Sequence, residues 1–129
     1  MEYPFITASA AFVLSIILVI LSMRVSIMRQ KVNVDFGVGG DLLLERAVRA
    51  HGNLTESAPL FLILLTLLEM RVGDGVLVLS LAGVFVIGRV IGLLGSFAAK
   101  QIVAARIVTM MASNLSLLAV GIMLIRDIF

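Results

Sequence analysis

The chain has no cysteine and no tryptophan, and only 14% of its 129 residues are charged. The lack of cysteine excludes disulfide bonds and any thiol chemistry supplied by the protein itself. The scarcity of charge excludes an ordinary soluble domain, in which about a quarter of the residues are charged. The net charge is only +2, and no run of lysine and arginine occurs. Nucleic-acid binding is therefore not predicted.

Long apolar segments dominate the sequence, and 61% of the chain is hydrophobic. A helix that crosses the hydrocarbon core of a bilayer needs about 20 apolar residues. Four segments meet this length, at about residues 5–23, 42–70, 76–99 and 107–125. No basic residue precedes the first of them, which favours a retained helix over a cleaved signal peptide. We therefore predict an all-α integral membrane protein, a four-helix bundle forming one domain over residues 1–129.

The positive charges between these segments predict the orientation of the bundle. Lysine and arginine are most frequent in the first and third connections, at Arg24, Arg29, Lys31, Lys100 and Arg106. Because cytoplasmic connections of membrane proteins carry an excess of these residues, both connections are expected in the cytoplasm and both termini outside. The expected location is the cytoplasmic (inner) membrane.

Four polar side chains lie at helical spacing where the second helix begins: Arg46, Arg49, Asn53 and Glu56. At 100° per residue they occupy a sector about 80° wide. His51 falls roughly on the opposite face, from which it is expected to reach a neighbouring subunit rather than the same pocket. The alternative for the two arginines is contact with lipid phosphates at the membrane surface.

A carboxylate and a guanidinium are placed where lipid would make single charges expensive. Glu56 and Arg89 lie well inside the second and third helices, at comparable depths. We expect them to form a buried ion pair, which is either part of a site or only a contact that stabilises the bundle. Arg106 precedes the fourth predicted helix on the same side of the membrane. This convergence indicates an anion-binding site that contains a carboxylate; no metal site is predicted.

The segment from Glu45 to Pro59 resembles the signature of the membrane-associated proteins in eicosanoid and glutathione metabolism (MAPEG). Its pattern is Arg-x-x-Arg-Ala-x-x-Asn-x-x-Glu-x-x-Pro at the start of the second of four helices. The chain length and the Gly88-Arg89 pair in the third helix are similar as well. The resemblance is closest to the short bacterial members of the family.

This resemblance implies a homotrimer that binds glutathione between adjacent subunits, open toward the cytoplasmic leaflet. Arg49, Asn53 and Glu56 correspond to glutathione contacts of the family, and Arg46 belongs to the same motif. Arginines suit the glutathione carboxylates, and Glu56 suits its ammonium group. His51 and Arg29 correspond to positions that contribute to the site across the subunit interface.

The resemblance also implies a catalytic role for Arg106, next to the glutathione sulfur. A cation there favours the thiolate, which attacks a lipophilic electrophile from the bilayer or reduces a lipid hydroperoxide. Three positions depart from the pattern of glutathione-binding relatives, which carry tyrosine where this chain has Ser57, Gly92 and Ser96. The only tyrosine, Tyr3, precedes the first helix and lies far from these three positions in the chain.

Three functions are consistent with the sequence. The first is a membrane glutathione transferase or peroxidase. The second is a non-catalytic protein of the same fold that binds lipid or another anionic amphiphile at Arg46 and Arg49. The third is a small proton-coupled exporter, which is disfavoured because such transporters usually carry a carboxylate in their first helix, and this first helix has none.

Overall fold

A computed structural model describes residues 3–126 of the chain as four helices. These are α1 (Phe5–Val32), α2 (Leu42–Val72), α3 (Val76–Phe97) and α4 (Val103–Arg126). Each helix is long and apolar enough to cross a membrane. The predicted all-α membrane architecture is therefore confirmed for the described residues, and the protein is a multi-pass membrane protein.

Two helices, α1 and α4, are longer than the sequence pattern predicts by at least one turn. Helix α1 ends at Val32 rather than at residue 23, because the polar residues that follow Met23 include no glycine or proline to interrupt it. Its last turn carries Arg29 and Lys31, which interact favourably with the negative end of the helix dipole. Helix α4 begins at Val103 rather than at residue 107. A fall in hydropathy shows where the apolar segment ends. The helix itself extends farther, because its backbone hydrogen bonds continue through the polar residues.

The connection between α1 and α2 is consequently short, over residues 33–41. It contains three glycines with positive φ, Gly37, Gly39 and Gly40, in conformations that other residues rarely adopt. Asp41 then caps α2, because its side chain accepts a hydrogen bond of 2.7 Å from the amide of Leu44. Backbone freedom and a capping carboxylate together fix the point at which α2 begins.

The helices run antiparallel to their chain neighbours. Helix α1 packs on α2 and α3, and α4 packs on the same two helices, whereas α1 and α4 do not contact each other within the described residues. The centre of the bundle is filled by apolar side chains, and the rings of Phe61 and Phe85 stack there at a centroid distance of 3.9 Å. We call the end that carries residues 33–41 and 98–102 the loop end, and the opposite end the terminal end.

A buried carboxylate joins α1 to α2 at the terminal end. Glu69 is 3% exposed and accepts hydrogen bonds from the amides of Ile6 (2.8 Å) and Thr7 (2.7 Å) and from the Thr7 hydroxyl (2.6 Å). Helix α1 has no side-chain cap of its own at Pro4. Glu69 therefore supplies, from another helix, the acceptor that the free amides at the start of α1 require.

Close approach of α3 and α4 depends on two glycines. A Cβ atom added at Gly88 would lie 2.8 Å from the Cβ of Ala112, and one at Gly92 would lie 2.9 Å from Cγ2 of Thr109. Such small residues permit the backbone contact that helices use for association within membranes. Gly83, in the same helix, differs from both, because a Cβ atom added there would meet no other atom within 4 Å.

We expect Gly88→Ala to destabilise the protein by about 1–3 kcal/mol, because the added methyl group forces two helix backbones apart. The matched change Gly83→Ala is expected to be neutral or to stabilise by up to about 1 kcal/mol. Thermal unfolding of both variants in the same detergent measures the difference. Equal midpoints for the two variants would contradict a close α3–α4 contact at Gly88.

Candidate functional site

A cavity of about 680 Å³ lies in the loop half of the bundle and is bordered by all four helices. Its polar lining comes mainly from α2 and α4, and its apolar lining includes residues from α1. Among the polar side chains around it are Arg46, Arg49, Asn53, Glu56, Ser57, Arg89, Ser96, Arg106, Thr109 and Asn114. This volume lies within the range of about 300–1,000 Å³ that is typical of small-molecule sites.

The polar stripe of α2 lines one wall of this cavity. Arg46, Arg49, Asn53 and Glu56 all border it, as their helical spacing predicts for residues on one face. Asn53 and Glu56 are exposed in the single chain. Arg49 is exposed too, and its Nη2 lies 3.2 Å from Oε1 of Glu45, one turn earlier in α2. The stripe therefore presents both signs of charge at the open side of the cavity.

Arg46 has a contact that the sequence pattern did not reveal. Its Nη1 donates to the carbonyl oxygens of Ala98 and Ala99, each at 3.4 Å, at the C-terminal end of α3. A cation at this position interacts favourably with the negative end of the α3 dipole. Arg46 thus anchors the connection that leads into α4, a contact that depends on how α2 and α3 approach each other.

Arg106 lies on the opposite wall, in the first turn of α4. The sequence pattern placed it before the helix; the earlier start of α4 at Val103 corrects this. Its backbone amide donates to the carbonyl of Ile102 at 3.2 Å. The side chain is exposed in the single chain. Because it stands at the positive end of the α4 dipole, this wall favours an anion.

The predicted ion pair between Glu56 and Arg89 is not formed in the described chain. Instead, Nη2 of Arg89 donates to the hydroxyl of Ser57 at 2.6 Å. One step along a helix rotates a side chain by about 100°, and α2 turns Ser57 rather than Glu56 toward α3. Glu56 still lines the cavity, but at its exposed side, while Arg89 is only 7% exposed.

His51 and Arg29 do not line the cavity of their own chain. Nη1 of Arg29 donates to the carbonyl oxygens of Gly37 (2.6 Å) and Asp35 (3.4 Å), which holds the connection between α1 and α2. His51 is half-buried on another face of α2. The predicted contribution of both residues to the site of a neighbouring subunit stays a prediction.

Ser57, Gly92 and Ser96, the positions at which the sequence departs from the tyrosines of the family pattern, all contact other helices. Ser57 accepts from Arg89, and Ser96 accepts from Nη1 of Arg24 at 3.3 Å. The guanidinium of Arg24 also lies 3.9 Å from the ring centroid of Phe97. At Gly92, a larger side chain would collide with Thr109. The cavity is consequently shaped without aromatic hydroxyls.

The fold and the cavity define a small multi-pass membrane protein with an arginine-rich cavity in the loop half of its bundle. The chain belongs to the MAPEG family, whose family model matches residues 7–126. A search of curated proteins found no match.

Proposed function

We propose that the protein is a membrane glutathione transferase or peroxidase that acts on lipophilic electrophiles. The observation that carries this proposal is the presence of Arg49, Asn53, Glu56 and Arg106 around one cavity. The first three are the motif positions that correspond to glutathione contacts in the family to which the chain belongs. Family membership supports the class of protein, and the cavity supplies the matching chemistry.

Each polar group of glutathione has a counterpart in the lining. Its two carboxylates suit Arg46 and Arg49, since a guanidinium binds a carboxylate through two parallel hydrogen bonds. Its ammonium group suits the carboxylate of Glu56, and its amides suit Asn53. Arg106 then remains for the sulfur. The exposure of Asn53, Glu56 and Arg106 in the single chain supports a homotrimer in which an adjacent subunit completes the site.

The chemistry requires the thiolate of glutathione rather than the thiol. A guanidinium close to the sulfur lowers the pKa of the thiol, because it stabilises the charged form. In the transferase reaction the sulfur forms a bond to an electrophilic carbon, and the leaving group departs with its electron pair. In the peroxidase reaction the sulfur attacks the terminal oxygen of a hydroperoxide and the O–O bond breaks. The alkoxide takes a proton, and the thiol of a second glutathione displaces the hydroxyl of the resulting sulfenic acid as water, which gives glutathione disulfide.

Calorimetric titration of the purified protein with glutathione tests this proposal. We expect saturable binding by the natural chain and a loss of affinity of about tenfold or more in Glu56→Gln, since a charge-assisted hydrogen bond contributes about 1.5–3 kcal/mol. The matched control is Asp74→Asn, an exposed carboxylate at the terminal end, which is expected to leave the affinity unchanged.

A natural chain that binds no glutathione would refute the proposal. Retention of phospholipid through purification by such a chain, lost when Arg46 and Arg49 are changed to glutamine, would assign the cavity to the non-catalytic binding of an anionic amphiphile. Equal affinities of the natural chain and Glu56→Gln would remove Glu56 from the site.

A further inference from the structure

Arg24 lies at the contact between α1 and α3 and carries a charge that the described chain does not neutralise. Its Nη1 donates to Ser96 Oγ at 3.3 Å, which is its only hydrogen bond among residues 3–126. The Ser96 hydroxyl donates its own proton to the carbonyl of Leu93 at 2.7 Å and therefore serves as a neutral acceptor. Within the described residues, no carboxylate lies within ion-pair distance of the guanidinium. Most N–H donors of this cation are thus available to an anion from outside the chain.

The guanidinium of Arg24 is presented on the outside of the bundle rather than to the cavity. Its carbon lies 3.9 Å from the ring centroid of Phe97, which is 55% exposed, and neither residue lines the cavity. At 100° per residue, Arg24 stands at the edge of an exposed apolar sector of α1. That sector consists of Ile16, Ile20, Met23 and Ile27. Arg24 therefore adjoins a surface that is suited to hydrocarbon.

The α1–α3 edge of the bundle lies opposite the side on which a second subunit is proposed. Both α1 and α4 pack on α2 and α3, so that the α1–α3 edge and the α2–α4 edge face away from each other. The exposed cavity residues Asn53, Glu56 and Arg106 belong to the α2–α4 edge. A neighbouring subunit that covers those residues leaves Arg24 open to the bilayer.

The depth of Arg24 corresponds to the lipid head groups. The charge-free apolar segment of α1 ends directly before Arg24, and Phe97 is the last residue of α3. Helix α1 continues to Val32, about 12 Å beyond Arg24. Lys31 is exposed and lies two turns after Arg24 on the same face of α1, and the exposed Lys100 follows the end of α3. Three cations thus lie at or just beyond the level at which the apolar segments end.

A phosphodiester with a head group that carries no cation suits this position. A guanidinium binds a phosphate through two parallel hydrogen bonds, and basic pockets between membrane helices bind anionic head groups. The ammonium group of a choline head group would be repelled by Lys31 and Lys100, whereas a glycerol head group carries no charge. The acyl chains of the same lipid fit the exposed apolar sector of α1. Both features together favour an anionic phospholipid over a dissolved phosphate.

We propose that Arg24, with Phe97, Lys31 and Lys100, forms a binding site for one anionic phospholipid at the α1–α3 edge, in the leaflet at the loop end. The phosphate supplies the counter-charge that Arg24 lacks, and the acyl chains cover the apolar sector beside it. The site is separate from the cavity and does not depend on the proposed enzymatic function.

The test compares dioleoylphosphatidylglycerol with dioleoylphosphatidylcholine, which share their acyl chains and differ in net charge. Native mass spectrometry of the delipidated protein in dodecyl maltoside counts the lipid bound to each chain. We expect phosphatidylglycerol to bind about fivefold more tightly or better, the effect of about one cation at a membrane surface. Arg24→Gln is expected to lose most of this preference. Arg24→Lys is expected to keep part of it, because a lysine retains the charge without the planar contact to Phe97, and Arg126→Gln, at the terminal end, all of it.

Equal affinities for the two lipids in the natural protein would overturn the proposal, and this comparison needs no variant to fold. A preference that persists in a folded Arg24→Gln, judged by helix content and elution volume, would overturn it as well. Displacement of phosphatidylglycerol by an equal concentration of glycerol 3-phosphate would assign Arg24 to a dissolved phosphate and refute a lipid site.

Titration with glutathione separates this site from the cavity. Arg24→Gln is expected to keep the glutathione affinity of the natural chain, since Arg24 does not line the cavity. A loss of glutathione affinity in this variant, with an unchanged preference between the lipids, would assign Arg24 to the cavity and overturn the proposal. Because the lipid measurement contains no glutathione, a natural chain that binds no glutathione would refute the proposed function and leave the lipid result standing.

Discussion

Arg106→Gln is expected to raise the pKa of enzyme-bound glutathione by at least about one unit, and to lower the turnover at pH 7 by about tenfold or more. A cation within about 4–6 Å of an ionising group shifts its pKa by about 1–3 units toward the charged form. Removing the cation therefore moves thiolate formation to higher pH. The variant should regain activity as the pH rises, because the thiolate then forms without the help of Arg106.

The ultraviolet absorbance of the thiolate, followed as a function of pH with the protein saturated by glutathione, measures this shift directly. Arg106→Lys is expected to show a smaller shift, because it keeps the charge. Arg126→Gln is the matched control, since it removes the same charge from the terminal end of the same helix. A titration of Arg106→Gln that coincides with that of the natural chain would exclude Arg106 from thiolate formation, whatever happened to the turnover.

Glu69→Ala is expected to lower the free energy of unfolding by about 3–5 kcal/mol. The change removes the acceptor for two amides of α1 and for the Thr7 hydroxyl, and the two hydrogen bonds from Thr7 are buried. Breaking a buried charged network by the loss of one partner carries a cost of this size. Glu69→Gln is expected to cost less, since it retains one oxygen, and Thr7→Val about 1 kcal/mol.

Chemical unfolding followed by circular dichroism in one detergent checks these values. Asp74→Ala provides the control, because Asp74 is an exposed carboxylate close to Glu69 in the chain, and its removal should change the free energy by no more than about 0.5 kcal/mol. If Glu69→Ala and Asp74→Ala unfold alike, Glu69 does not hold α1 against α2.

The number of helices and the face of α2 that lines the cavity could both be predicted from the sequence. Apolar length identifies a membrane span, and a period of 3.6 residues brings Arg46, Arg49, Asn53 and Glu56 to one side of a helix. Helix ends were predicted less well. Hydropathy falls at Arg24, but the backbone of α1 has no reason to stop before Asn33, which adopts a left-handed conformation.

Contacts between helices could not be predicted at the level of single residues. Arg89 pairs with Ser57 instead of Glu56 because of the rotation of α2 about its axis. Successive side chains of a helix point about 100° apart, so this rotation decides which of the two neighbours faces α3. The anchoring of Ala98 and Ala99 by Arg46 likewise depends on the distance between α2 and α3. The role of Glu69 was missed because the residue lies near the end of a predicted helix, where an exposed carboxylate is ordinary.

The stacked rings of Phe61 and Phe85 have a consequence for permeation. Both are fully buried and lie beyond Arg89 on the side of the terminal end, where Leu65 and Val78 fill the space behind them. The interior of the described single chain is therefore closed by packed apolar side chains between the cavity and the terminal end. We therefore expect a dissolved reactant of the proposed reaction to enter and leave the cavity at the loop end, and liposomes that contain the protein to retain an ion gradient.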